Sequence, residues 1–374
     1  MEISVGIVGL PNVGKSTLFN ALTNKSVLAA NYPFATIDPS VGVVSVPDAR
    51  VDKLAKFSQS AKKIPAAIEF VDIAGLVKGA SEGEGLGNKF LSHIREVSAI
   101  AQVVRVFDNP SILHVDEKVD PVSDIDTINL ELVLADVETV EKRHGTLERD
   151  IKRGVKEAQV EFSAIEKAHE VLLKGQLAQT ADFTPEERLA IKGIHLLTMK
   201  PMLYVLNRES GGHNLDEVTD GRWEKLMEKL QHTQDPRVKL SEESYVVVDA
   251  NVESDLRELA TEDKESFRRE YGIFDDGVND LIRASYKLLG LISFFTTGAD
   301  ETRAWTIQNG STAPIAGAAI HTDFKDKFIR AEVIEWHKLL EAGSYAKARE
   351  LGWVRTEGKE YVVKDGDIME FLHS

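Results

Sequence analysis

Residues 9–17 read GLPNVGKST, and they directly follow the apolar run of residues 3–8. The pattern G-x-x-x-x-G-K-[ST], placed after a strand and before a helix, is that of a phosphate-binding loop. Its backbone N–H groups would wrap a polyphosphate, and the N-terminus of the following helix would add a favourable dipole. We expect Lys15 to reach the β- and γ-phosphates and the Ser16 hydroxyl to ligate Mg²⁺. The loop predicts an α/β nucleotide-binding domain with a doubly wound sheet.

The composition is that of an ordinary globular protein, with 43% hydrophobic and 28% charged residues in a chain of 374. This length predicts two or three domains. No segment approaches the roughly 20 apolar residues of a membrane helix, and no signal-peptide pattern is present, so we expect a cytoplasmic protein without a membrane partner. The absence of cysteine agrees with a reducing compartment. A net charge of −16 argues against a DNA-binding surface and requires any RNA contact to come from a local patch.

Two later segments carry residue types that respond to a γ-phosphate in nucleotide switches. Thr36 lies in a proline-containing loop and is the candidate to complete the Mg²⁺ shell, with a turn or capping threonine as the alternative. The predicted strand of residues 66–71 ends in the D-x-x-G pattern of Asp72 and Gly75, whose carboxylate would hold Mg²⁺ and whose N–H would approach the γ-phosphate. Leu76 follows, where Ras-like hydrolases carry a glutamine that orients water. The usual catalytic side chain is therefore absent.

A helical insertion interrupts the nucleotide-binding domain. Apolar residues recur at helical spacing from about residue 126 to 174, which predicts long amphipathic helices paired as a coiled-coil-like hairpin. A further helix is predicted to start at Thr184, which opens a capping box followed by proline. We therefore divide the chain into a nucleotide-binding domain (1–127 and 198–288) and a helical insertion (128–197). The insertion either supports the domain or binds a partner.

The predicted strand of residues 201–206 delivers the sequence Asn207-Arg208-Glu209-Ser210 at its carboxyl end, where doubly wound folds place ligand contacts. Guanine-specific switches need N-K-x-D here, because the aspartate accepts both N–H donors on the guanine edge. Ser210 stands at the position of that aspartate, and a neutral hydroxyl cannot supply the paired acceptor. Guanine selectivity should therefore be weak, and adenine becomes the plausible base.

The tail from residue 289 to 374 alternates short apolar segments with turn signals, which predicts a small β-rich α+β module. It shows no catalytic pattern. Three basic residues stand beside two aromatic ones in its middle, namely Lys325, Lys327 and Arg330 beside Phe324 and Phe328. This cluster is either an RNA contact or an ordinary solvated face.

Three stretches resemble the Obg-like ATPase (YchF) family of P-loop NTPases: residues 9–17, residues 31–37 (NYPFATI) and residues 70–88 (FVDIAGLVKGASEGEGLGN). The resemblance extends over the whole chain, since a coiled-coil insertion and a C-terminal module similar to a β-grasp TGS domain stand in the family's order. It implies a cytosolic ATPase that prefers ATP over GTP, needs Mg²⁺ and associates with the ribosome and its RNA.

The candidate site residues follow from the motifs together with this resemblance. The candidate nucleotide contacts are Gly9, Asn12, Val13, Gly14, Lys15, Ser16, Thr17, Asn207 and, through its backbone, Arg208. The candidate Mg²⁺ ligands are Ser16, Thr36 and Asp72, and the candidate catalytic residues are Lys15, Gly75 and His114. The family usually shows N-x-x-E at the base, whereas the acid here is Glu209, one position early, so a role for Glu209 at the base is in doubt.

The attacking water needs a contact other than residue 76. Asn12 is similar to the asparagine that ligates K⁺ in related switches, so activation by K⁺ is a hypothesis. His114 could supply the water contact, with His93 as its rival and a solvated loop histidine as the ordinary alternative.

We interpret the chain as a ribosome-associated switch that slowly hydrolyses ATP. One alternative is a nucleotide-gated module that binds the ribosome or RNA and whose hydrolysis is incidental. The other is a GTPase.

Overall fold

The computed structural model describes residues 3–23, 40–73, 86–112, 118–154, 157–232, 245–256 and 277–373, together with residues 259, 263 and 266–267. Three of the candidate site residues, Thr36, Gly75 and His114, lie outside the described residues. None of the described helices combines the length and the apolarity that crossing a membrane requires.

The described residues form two compact units, one built from residues 3–23, 40–42 and 69–281 and the other from residues 43–68 and 282–373. The strands are β1 (Ser4–Val8), β2 (Val41–Ser45), β3 (Lys62–Ile64), β4 (Ala67–Asp72), β5 (Ala99–Arg105), β6 (Phe107–Asp108), β7 (Met202–Asn207), β8 (His213–Asn214), β9 (Tyr245–Val248), β10 (Leu291–Thr297), β11 (Glu301–Gln308), β12 (Phe328–Glu335), β13 (Arg355–Glu357) and β14 (Asp367–His373).

The helices are α1 (Lys15–Thr23), α2 (Ala49–Ser58), α3 (Leu86–Glu96), α4 (Pro121–Lys152), α5 (Glu157–Leu173), α6 (Pro185–Lys192), α7 (Arg222–His232), α8 (Ala250–Asp255), α9 (Val278–Leu288), α10 (Ala313–Ala318), α11 (Thr322–Asp326), α12 (Trp336–Ala342) and α13 (Tyr345–Glu350). Short 3-10 turns lie at Ala178–Thr180, Leu197–Met199 and Leu215–Glu217.

The first sheet has the strand order β2-β4-β1-β5-β7-β9, and the pairs from β4 to β9 are parallel. The five residues of β1 are all buried, as are the seven of β5, which agrees with strands covered on both faces. The chain leaves β1 for β4 on one side and then reaches β5 on the other. The order therefore reverses at β1, and a doubly wound sheet places its ligand beyond the carboxyl end of such a strand.

The helical segment of the first unit contains the 32-residue helix α4 and the 17-residue helix α5, which pack against each other. Asp120 caps α4 by accepting a hydrogen bond from the Ser123 N–H at 3.2 Å, and proline occupies the first helical position. The Arg143 guanidinium joins the two helices through bonds of 2.6 and 2.7 Å to the Glu161 carboxylate. Pairing of two long helices is what the apolar spacing predicts, and coiled-coil geometry stays a prediction.

The capping box predicted at Thr184 is confirmed. The Thr184 hydroxyl accepts from the Glu187 N–H at 3.2 Å, and the Glu187 carboxylate accepts from the Thr184 N–H at 2.8 Å. A second tether starts on α4, where the buried Asp136 accepts from the N–H groups of Leu197 and Thr198 at 2.9 and 2.7 Å. The chain is thereby led from the helical segment into β7.

The second unit is a mixed sheet of order β13-β12-β14-β10-β11-β3, covered by helices. Its edge strand β3 runs parallel to β11, with Lys62 opposite Glu301 and Ile64 opposite Arg303. Helix α2 buries one face on this sheet through Val51, Leu54 and Ala55. Residues 43–68, which run from within β2 to the start of β4, therefore belong to the same unit as the C-terminal residues.

Candidate nucleotide-binding site

The phosphate-binding loop leaves β1 with a backbone that side chains would obstruct. A Cβ at Gly9 would lie 2.6 Å from the carbonyl oxygen of Val103, and a Cβ at Gly14 would lie 2.3 Å from the side-chain nitrogen of Asn207. Gly14 also has φ +97°, and Asn12 has φ +62°, which glycine and asparagine adopt most readily. Helix α1 starts where the Leu18 N–H donates to the Gly14 carbonyl at 2.9 Å. The glycine pattern is thus explained by close backbone approach.

Lys15 and Asp72 are the charged pair of the site. The Lys15 ammonium donates to the Leu10 carbonyl at 2.7 Å, across the loop, and the residue is only 8% exposed. Burial lowers the pKa of Lys15, while the Asp72 carboxylate acts in the opposite direction. Burial likewise raises the pKa of Asp72, and Lys15 opposes that shift. Burial disfavours the charged form of each group, and a phosphate beside Lys15 or a cation beside Asp72 would favour that charged form.

The donor set fits Mg²⁺. Asp72 ends β4 in register with Ile7 of the adjacent β1, so its carboxylate lies at the same sheet edge as the loop. Ser16 is exposed in the first turn of α1 and offers a hydroxyl oxygen. Among the described residues no group of three His, Cys, Asp or Glu side chains forms a metal cage. One hydroxyl and one carboxylate match a cation that keeps waters and takes its other ligands from substrate phosphates.

Asn207 joins the end of β7 to the phosphate-binding loop. Its side-chain nitrogen donates to the Val13 carbonyl at 2.9 Å, and its oxygen accepts from the Ala250 N–H at 3.0 Å. Arg208 points elsewhere, because its guanidinium donates to Glu217 at 2.7 Å. The Arg208 N–H is engaged as well, since it donates to the Val248 carbonyl at 3.0 Å. The proposed contact of the Arg208 backbone with a base would therefore have to be made by the Arg208 carbonyl.

Ser210, at the position of the guanine-reading aspartate, is fixed by a carboxylate from another strand end. The Ser210 N–H donates to one oxygen of Asp249 at 2.6 Å. The other Asp249 oxygen accepts from the N–H groups of Asn251 and Val252 at 3.1 and 3.0 Å and caps α8. Asp249 is 5% exposed, so its oxygens serve the backbone. Neither residue offers a free carboxylate to a guanine edge.

The described candidates meet at the carboxyl ends of three parallel strands: the loop from Gly9 to Thr17 after β1, Asp72 at the end of β4 and Asn207 at the end of β7. His93, the rival water contact, lies exposed on α3.

Arg105 is a residue of this region that motif reasoning missed. It ends β5 with 1% exposure, and its guanidinium donates to the carbonyls of Phe107, Asn109 and Ile112 at 3.0, 3.1 and 3.2 Å. Its guanidinium carbon also lies 4.6 Å from the centre of the Phe107 ring. The signal in the sequence is a lone charge at the end of an otherwise uncharged strand.

Comparison of the sequence with known proteins shows the family of the chain. A protein of Bacillus subtilis (strain 168) named ribosome-binding ATPase YchF is 50% identical over 371 residues, which cover 99% of this chain and 99% of that protein. The chain belongs to the YchF family. The YchF protein of Escherichia coli O157:H7, with the same printed name, is 46% identical over 377 residues that cover 100% of this chain and 99% of its own.

A solved YchF structure has the same fold. The structure described as the Schizosaccharomyces pombe YchF GTPase has a TM-score of 0.85 at 37% identity, covering 99% of this chain and 98% of that chain. Two family descriptions match parts of the chain: a 50S ribosome-binding GTPase at residues 4–135, and the YchF GTPase C-terminal family, described as a protein of unknown function, at residues 291–374. The predicted YchF relationship and the predicted α/β P-loop fold are confirmed. The TGS and coiled-coil descriptions of its other parts stay predictions.

Proposed function

We propose that the chain is a ribosome-associated switch that binds ATP in preference to GTP and hydrolyses it with Mg²⁺. The preference for ATP rests on the hydrogen bond that the Ser210 N–H donates to Asp249. Recognition of a guanine edge requires a carboxylate acceptor, and both oxygens of the nearby Asp249 carboxylate already accept from backbone N–H groups. The curated relatives, which are named ribosome-binding ATPases, support the reaction and the partner.

The chemistry of this site is positioning and charge stabilisation. Lys15 and the loop N–H groups would bind the phosphate oxygens on which negative charge increases during transfer. Ser16 and Asp72 would hold Mg²⁺, which neutralises charge on the β- and γ-phosphates when bound. Thr36 and Gly75 would respond to the γ-phosphate. These roles remain proposals.

The water contact is proposed for His114, and K⁺ activation is proposed through Asn12. Asn12 is exposed and has a left-handed backbone, with φ +62°. Hydrolysis measured in K⁺ and in Na⁺ buffers tests the cation, and equal rates would remove it. Single-turnover rates of His114→Ala and His93→Ala test the histidines, and unchanged rates in both would remove them.

The ribosomal partner is expected to include RNA, and the basic cluster of the second unit is a candidate contact. Lys325, Lys327 and Arg330 are exposed, and Lys327 lies 3.4 Å from Asp323. The Phe324 and Phe328 rings contact Phe371 within the second unit. Contact with RNA would therefore involve phosphates more than stacked bases. Association with ribosomes would place the protein in the cytoplasm.

Competition between ATP and GTP for the purified chain is the decisive experiment. We expect ATP to bind more tightly and Lys15→Ala to lower single-turnover hydrolysis by about a hundredfold. Tighter binding of GTP would overturn the base assignment and favour the GTPase alternative.

Leu76 supports a second candidate function, a nucleotide-gated ribosome-binding module with incidental hydrolysis, because this residue cannot orient water. Turnover stimulated by ribosomes would favour the hydrolytic switch. Ribosome binding that requires ATP and is unchanged with a non-hydrolysable analogue would favour the binding module.

A further inference from the structure

Glu209 is the centre of a tight turn on the base side of the site. Its N–H donates to the side-chain oxygen of Asn214 at 2.9 Å, and the side-chain nitrogen of Asn214 returns a bond of 2.9 Å to the Glu209 carbonyl. The Gly212 N–H donates to the same carbonyl at 3.0 Å. Asn214 is 1% exposed, so the turn is fixed from the protein interior. The Glu209 backbone therefore has one well-defined position.

The Glu209 side chain is directed to a different part of the chain. Its two carboxylate oxygens accept from the side-chain nitrogen of Asn109 at 2.9 and 3.2 Å. The side-chain oxygen of Asn109 accepts from the Ser111 N–H at 2.9 Å. This second bond fixes the orientation of the amide, because only its nitrogen can then face a carboxylate. The pair is a charge-assisted hydrogen bond between two half-buried side chains.

Asn109 itself is held on a rigid support. The Arg105 guanidinium donates to the carbonyl of Asn109 and also to the carbonyls of Phe107 and Ile112. The short strands β6 and β8 pair Phe107 with Asn214 and Asp108 with His213. The segment that follows β5 is thereby fixed to the same turn that contains Glu209. A carboxylate bound to this support fixes the turn at a second point.

We propose that Asn109 and Glu209 form a positioning pair that sets the affinity of the site for the base end of the nucleotide. The inference rests on the proposed function, in which the base lies at the segment that begins at Asn207 and includes Ser210. Glu209 directly precedes Ser210 in the chain, so releasing its side chain loosens Ser210, while Asn207 keeps its bonds to Val13 and Ala250. A loop held in its binding conformation loses less entropy when the base arrives. The phosphate end, bound by the loop after β1, does not depend on this pair.

The test exchanges the two chemical groups of the pair. Asn109→Asp places a carboxylate opposite Glu209 and keeps the acceptor for Ser111. Adding Glu209→Gln to it restores the bond in the reverse direction, from the new amide to the new carboxylate. Asn109→Ala removes the donor without adding charge and serves if N109D does not fold. Glu224→Gln, on the exposed face of α7, is the matched control for the loss of a glutamate charge.

Affinities for ATP and for inorganic tripolyphosphate separate the base end from the phosphate end. We expect N109D to lower the affinity for ATP about tenfold and N109A to lower it severalfold. Both variants should leave the affinity for tripolyphosphate unchanged. The N109D/E209Q double variant should return to within about twofold of the wild type, and E224Q should not differ from it. Equal losses for ATP and tripolyphosphate, no loss of ATP affinity, or no recovery in the double variant would each overturn the positioning role.

The affinities of the wild type for ATP and tripolyphosphate show whether a negative result contradicts the positioning pair or the proposed function. If ATP binds no more tightly than tripolyphosphate to the wild type, the base adds no affinity, so the proposed base contacts are wrong and the inference falls with them. If ATP binds more tightly than tripolyphosphate to the wild type and the variants do not alter that difference, the proposed base contacts stand and the positioning pair is wrong.

Discussion

The side-chain nitrogen of Asn207 donates a hydrogen bond of 2.9 Å to the backbone carbonyl of Val13. The oxygen of the same side chain accepts from the Ala250 N–H, and the residue is 5% exposed. One buried amide thus connects the phosphate-binding loop, the end of β7 and the start of α8. Because buried polar groups are costly to leave without partners, these three segments should move together. A perturbation of the loop should be felt on the base side.

Gly14→Ala should break this connection. The new Cβ would lie 2.3 Å from the Asn207 nitrogen, and the φ of +97° is unfavourable for alanine. We expect ATP affinity to fall by at least about tenfold, which calorimetric titration would measure.

Gly145→Ala is the matched control for that substitution. This glycine lies within α4, and a Cβ there meets nothing within 4 Å. We expect unchanged ATP affinity and a gain in stability of about 0.5–1 kcal/mol from the better helix former. Unchanged ATP affinity in G14A would contradict the role given to the close approach of Gly14 and Asn207.

Arg105→Met should destabilise the segment after β5. The substitution keeps most of the buried volume and removes the donors to three carbonyls. We expect a loss of about 3 kcal/mol, because each carbonyl loses about one net hydrogen bond. Urea unfolding followed by tryptophan fluorescence would measure it. Arg153→Met, at a 76% exposed side chain, should have no effect, and an equal loss in both variants would remove the special role of Arg105.

Glu187 should make the helical segment sensitive to acid. Hydrogen bonds from Lys167, from Ser163 and from the Thr184 N–H hold the pKa of Glu187 at about 2. A folded-state pKa below the unfolded value of about 4.3 means that this stabilisation is fully present above that pH. It is lost as the pH falls from about 4.3 to about 2.

Glu187→Gln should therefore lower the urea midpoint near pH 7 and flatten its dependence on pH below about 4.3. Glu170→Gln removes a carboxylate that is bonded to Lys174 on the exposed face of α5, and it should leave the acid dependence nearly as in the wild type. A wild-type slope retained in E187Q would show that other carboxylates are responsible.

Gly212→Ala should displace the Glu209 side chain without removing any polar group. A Cβ at Gly212 would lie 2.6 Å from a carboxylate oxygen of Glu209 and 3.0 Å from its Cβ. We expect the Asn109 bond to weaken and ATP affinity to fall severalfold, with no change for tripolyphosphate. Adding N109A to G212A should then have little further effect on ATP affinity. Full additivity of the two losses would show that Gly212 does not act through this bond.

The parts of the fold that are local in sequence were predictable. The apolar runs predict β1, β4 and β7 close to their observed bounds, and the glycine pattern predicts that a helix, α1, follows β1. Thr184 predicts the start of α6, because a capping box is formed by residues only three positions apart. The convergence of the loop with Asp72 and Asn207 follows from parallel strands whose carboxyl ends share one edge.

The parts that depend on distant pairing were not predictable. Strand β3 has three residues, two of them exposed lysines, and shows no apolar alternation, yet it pairs with a strand more than 200 positions later. The particular hydrogen bonds of Asn207 with Val13 and of Asn109 with Glu209 were likewise not predictable, because each joins side chains and backbone that lie far apart in the chain. Thr36, Gly75 and His114 lie outside the described residues, so their roles stay predictions.

The placement of α2 and β3 in the second unit affects the design of an isolated C-terminal fragment. A fragment that begins at residue 291, where the C-terminal family match begins, would lack both elements. The β11 edge would then present unpaired backbone groups, and the sheet surface covered by Val51, Leu54 and Ala55 would face water. Such an open edge beside an apolar surface is a template for aggregation. A well-behaved fragment would need residues 43–68 joined to it by a designed linker.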